Sequence, residues 1–176
     1  QGGAPLDLSF RSEPFKARDQ DRPTDDPGRI DHGTMMGRAI REGLVDPARS
    51  TQVGIRTFHD STEGLEVLTA PWIHRNGIAA AIETAVARAG DAPTYLSFEI
   101  DGLDPAFAPG TGTPVPGGLA SWQALEFVRG LAPLDLVGMD IVEVSPPFDH
   151  AEITALAAAH IAHDWLCLIA AKAGAE

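Results

Sequence analysis

The chain has 176 residues, 44 % of them apolar, which is enough for one domain with a buried core and too much for a disordered chain. A formal net charge of −12 offers no basic face. That argues against nucleic-acid and anionic-membrane partners and suits a cationic small substrate, or simply solubility. The single cysteine, Cys167, excludes an intrachain disulfide and a cysteine zinc cluster, and the apolar run around it predicts a buried, inert thiol.

Residues 1–29 carry many charges and several prolines and show no clear period. They read as a divergent or poorly ordered segment, with a short strand at Leu6–Phe10 and a boundary near residue 30; residues 30–176 form one unit. The start, QGGAPLDLSFRSE, has no basic region leading into an apolar one, so a signal peptide is not expected and the default location is cytoplasmic. GTMMGRAIREGLVDPARS predicts a helix with Met35, Ala39, Ile40 and Leu44 on one face, punctuated by Gly43 and Pro47. Strands are predicted over 51–58 and 65–70, then a helix over 76–89 stopped by Gly90.

TYLSFEID, 94–101, predicts a strand. A helix follows with Ser121 as its cap and Pro133 at its end. LVGMDIVEV, 137–144, is apolar on both faces, as a central parallel strand would be. The last segment, from Ala151, is a long helix apolar nearly all round and so expected to be well buried. His160, His163 and Asp164 interrupt it, which argues against a membrane span. Alternating strands and helices predict an α/β fold with a mainly parallel sheet, whose ligands bind beyond the carboxyl ends of the strands.

Three acids, Glu99, Asp101 and Asp104, fall within six residues and are followed by a run of Pro, Gly and Thr, in SFEIDGLDPAFAPGTGTPVPGG. Glu99 and Asp101, two apart, share a face if the strand continues, and oxygen ligands suit manganese, magnesium or calcium. The alternative is a solvated strand end before a turn-rich loop. Glu143, near the end of a strand and among apolar neighbours, needs a cationic partner: a guanidinium substrate, or an arginine of its own chain. His32, just before a helix, is either a cap or a proton shuttle. His160 and His163 suit packing or an oligomer contact better than a metal, and His74 and His150 read as loop residues.

DHGTMM at 31–36, REGLVDPARSTQVGIRT at 41–57, the acidic Gly/Pro segment at 97–118, GMDIVEVSPPFD at 138–149 and EITALAAA at 152–159 together resemble the arginase/agmatinase (ureohydrolase) family, agmatinases most closely. The likeness runs from about residue 29 to 174, roughly the C-terminal half of such a domain. It implies a three-layer α/β/α sandwich around a mainly parallel sheet, here incomplete on its N-terminal side. It also implies hydrolysis of a guanidino compound such as agmatine to an amine and urea, by a hydroxide shared between two Mn2+ ions.

By the same resemblance, Asp101 matches a metal ligand and Glu99 stands where the family has a bridging aspartate. His32 matches a proton relay to the leaving amine, Glu143 matches the glutamate that holds the guanidinium, and Asp104 matches a structural acid of the loop. Two departures stand out. The family's GGDH-type and D-A-H-x-D segments are absent from the sequence, and Glu99 replaces aspartate, moving its carboxylate by about a bond length against a metal-site tolerance of about 0.2 Å. The expectation is an agmatinase-type hydrolase portion, acting on a small guanidino compound and forming a homo-oligomer through its last helix. The alternatives are a non-catalytic remnant serving binding or oligomer contact, and a small metal-binding domain with another ligand.

Overall fold

The computed structural model describes residues 6–10, 35–57 and 62–174. Five parallel strands form one sheet in the order β3-β2-β1-β4-β5: β1 Leu6–Phe10, β2 Thr51–Ile55, β3 Glu66–Thr69, β4 Pro93–Glu99 and β5 Asp135–Val142. β1 is its centre, with Phe10 level with Val53 on one side and Phe98 on the other. The alternation LDLSF therefore builds the middle of the sheet, and the sheet crosses the boundary expected near residue 30.

The helices are α1 Met35–Arg41, α2 Ala70–Asn76, α3 Ile78–Ala89, α4 Ser121–Gly130 and α5 Ile153–Ala173. One helix was expected over 76–89, but Gly77, at φ 87, divides that region and α2 precedes it. Thr69 caps α2 by accepting the Trp72 N–H at 3.3 Å, and Pro71 lies in its first turn. In α4, Ser121 is the first helical residue rather than the cap; the N–H of Ala120 donates to Gln123 Oε1 at 2.9 Å. α2 to α5 share one apolar cluster with Val53, Leu68, Leu96 and Phe98 of the sheet, in which Ile73, Phe98 and Phe127 are fully buried. The α/β layering is thus the expected one, in part. The right-handed crossover rule puts α1, between β1 and β2, on the opposite face.

Three expectations are corrected. The strand at 137–144, read as central, is the edge strand β5, with Val137 and Val142 exposed while Leu136 is buried and Met139 and Ile141 pack against the core cluster. α5, read as well buried, has only Thr154 and Ile161 buried, because one stripe meets the core while Leu156 and Leu166 look outward. Cys167 lies on that outward part and is exposed, not buried. On α1 likewise, Met35 is exposed, and Leu44 beyond its end is too.

Candidate functional site

Strand order reverses between β1 and β4: the chain leaves β1 toward β2 and β3, and leaves β4 toward β5. In a doubly wound parallel sheet this switch point opens a crevice outside the carboxyl ends of the strands. Glu99 is the last residue of β4, at that end. The strand stops there and turns into a 3-10 segment, Ile100–Gly102. Asp101 therefore owes its position to the turn and not to strand alternation. Asp101 is 2 % exposed, and Thr113 Oγ1 donates to its Oδ2 at 2.9 Å.

The Gly/Pro loop is fastened at both ends. Asp104 closes its base, accepting the N–H groups of Ala106 at 2.9 Å, Gly117 at 2.7 Å and Gly118 at 3.1 Å. Desolvation opposes ionisation of Asp104, but those three donors and the nearby Arg56 charge outweigh it and hold its pKa below the usual carboxylate value. Its role is structural, as the motif implied. Gly118 admits no side chain, since a Cβ there would lie 2.5 Å from the Asp104 nitrogen. Toward β5, Gly110 N–H donates to Thr154 Oγ1 at 2.8 Å, and Ser145 N–H to the Gly110 carbonyl at 2.8 Å.

Glu143 follows β5 directly, with φ 67. Its Oε2 stands 3.9 Å from where a Cβ on Gly112 would be, so the carboxylate faces the loop. It is exposed rather than enclosed by apolar neighbours, and no arginine pairs with it among the described residues. Asp140, three residues earlier, is committed to the fold by Tyr95 Oη and Ser97 Oγ, each donating at 2.8 Å.

Sequence reasoning missed Arg56, the residue after β2. Its guanidinium donates to the Val115 carbonyl at 3.0 and 2.7 Å, Gly54 O at 3.1 Å, Gly102 O at 3.3 Å and Asp101 O at 2.7 Å. Burial pulls its pKa down, against the raising effect of the Asp101 and Asp104 carboxylates. An arginine after a buried strand was the available signal; its partners other than Gly54, 45 to 59 residues away, were not.

The histidines are dispersed. His32, His59 and Asp60 lie outside the described residues. His74 is on α2, not in a loop, with Nε2 3.1 Å from the Gly117 carbonyl. His163 stands 3.8 Å from Cys167 Sγ on α5. Among the described residues no group of three or more His, Cys, Asp or Glu side chains comes together to hold a metal. Glu99 and Asp101 are two carboxylates at one strand end, which falls short of the donor set that a pair of hard ions needs.

The parallel sheet, its switch-point crevice and the acidic strand end with its fastened loop define an α/β fold with a candidate site at the carboxyl ends of its strands. The profile of the arginase family matches residues 18–167, and the chain belongs to that family. The agmatinase of Chromobacterium violaceum is 56 % identical over 170 residues, covering 97 % of this chain and 52 % of that protein. The agmatinase of Proteus mirabilis is 54 % identical over 144 residues, covering 82 % and 47 %. The crystal structure of a hypothetical agmatinase from Burkholderia thailandensis superimposes with a TM-score of 0.85 at 50 % identity, over 97 % of this chain and 53 % of that one. Proclavaminate amidino hydrolase from Streptomyces clavuligerus superimposes at 0.81 with 38 % identity, over 94 % and 56 %. The chain spans about half the length of the curated relatives it matches.

Proposed function

We propose that this chain is the C-terminal half of an agmatinase-type ureohydrolase domain, contributing part of a site that cleaves a guanidino compound such as agmatine to an amine and urea. The observation that carries the reading is the seating of Glu143 against the Gly/Pro loop at the same strand ends as Asp101. A carboxylate so placed pairs with a guanidinium in a two-pronged hydrogen bond. Glu99 and Asp101 are the candidate oxygen ligands for Mn2+, His32 the candidate proton relay. The ligands still wanting belong to the half of the domain that the relatives have and this sequence does not match. The open β5 edge and the outward face of α5 support an oligomer with α5 as an interface helix, and a cytoplasmic setting stays the default.

A second reading, a non-catalytic remnant that binds a guanidino ligand, is favoured by the absence of a metal-holding group among the described residues. Elemental analysis after manganese loading and desalting, run beside a urea-release assay on agmatine, tests both. The expected result for this chain alone is sub-stoichiometric manganese and no release above the blank. A full pair of manganese ions with clear release would overturn the half-site reading.

A further inference from the structure

Arg56 stands at the carboxyl end of β2, yet three of the four carbonyls it binds, those of Asp101, Gly102 and Val115, lie beyond the end of β4, and β1 runs between those two strands. The guanidinium therefore spans the mouth of the switch-point crevice. A guanidinium carries five N–H donors, and here five hydrogen bonds fall on four carbonyls. Two of them grip Val115 between Pro114 and Pro116, the middle of the loop facing Glu143. Two more hold Asp101 and Gly102, the turn that presents the Asp101 carboxylate. The aim of the side chain is set by a bulge: β2 shifts register against β3 between Val53 and Ile55, at Gly54, whose φ of 89 suits glycine.

We infer that Arg56 is a positioning residue, which locks the Asp101 turn and the 109–118 loop into one rigid wall across the crevice. Lysine cannot replace it, since an ammonium has three donors on one atom and cannot reach carbonyls on opposite sides of a planar fork. The inference rests on the guanidino-site reading for its purpose but not for its geometry. Arg88 supplies the internal control. It donates to Ser50 O at 2.8 Å, Pro47 O at 3.1 Å and Gly64 O at 2.8 Å, at the amino ends of β2 and β3.

The test is amide hydrogen exchange on the wild-type chain, Arg56→Lys and Arg88→Lys, with agmatine line-broadening by NMR on the same samples. In Arg56→Lys the amides of Gly117, Gly118 and Ser145 should exchange about tenfold faster, while Leu96 and Phe98 in β4 stay within about twofold. Arg88→Lys should loosen Ser50 and Glu66 and leave the loop alone. Unchanged loop exchange in Arg56→Lys overturns the inference. So does equal acceleration throughout the sheet, or the same loop response in Arg88→Lys. Agmatine broadening present in wild type and lost in Arg56→Lys supports the wall as a substrate wall. No broadening in wild type, with the local exchange response intact, overturns the guanidino reading and leaves the positioning role standing.

Discussion

On the β2–β4 flank, α2, α3 and α4 bury Ile73, Phe98 and Phe127 completely, whereas on the β5 flank Val137 is 56 % exposed, Leu156 55 % and Leu166 58 %. The difference is in what lies across from each. The first flank is closed by helices of this chain; the second presents a free strand edge and half of a 21-residue apolar helix. Such a surface is the kind that monomeric proteins avoid and that interfaces use.

The contrast predicts its largest effect in the core. Phe127→Ala should cost about 3–5 kcal/mol in denaturant unfolding, while Leu166→Ala should stay within about 0.5 kcal/mol. A cost above about 2 kcal/mol at Leu166 would mean that α5 is covered in solution and that the flanks do not differ there. Glu143→Gln, on the open side of the site, should weaken guanidino-ligand binding by about 1.5–3 kcal/mol in calorimetry with no loss of metal. Metal loss with binding intact would move Glu143 from ligand contact to ion contact.

Association comes next. Sedimentation at tens of micromolar should show the chain self-associating, and Leu166→Glu should weaken that by about tenfold, or about 1.4 kcal/mol. A stable monomer before any substitution would break the contrast at its root. The smallest effect is a pH dependence that belongs to the closed loop. Because the folded pKa of Asp104 is depressed, its contribution is present above the unfolded value of about 4 and is lost as pH falls through the folded value. Unfolding midpoints taken from pH 6 down to pH 3 should fall, and Asp104→Asn should flatten part of that fall.

Much of this was legible locally. The short strand expected at Leu6–Phe10 is β1, and the acids before a Gly/Pro run marked the strand end of the candidate site. The loop role of Asp104 came from the family resemblance, and its three backbone donors fit it. The α2 helix was missed although Thr69 and Pro71 are a cap and a first-turn proline, because the run LEVLTA, which includes Thr69, reads as a strand. The positions of β5 and α5 were misjudged for another reason. Two apolar faces say that something covers a strand, and do not say that the cover lies in the same stretch of sequence. Arg56 was illegible because carbonyl acceptors carry no signature in side-chain identity.

Glu143 has one more consequence. A left-handed backbone suits glycine or asparagine, and an ordinary L residue held there raises the free energy of the fold by about 1–2 kcal/mol. Under the role proposed for Glu143, folding and ligand recognition are antagonists at this position. The residue that would make the β5–α5 connection most comfortable has no carboxylate to offer, and the residue with the carboxylate is one the backbone would not choose.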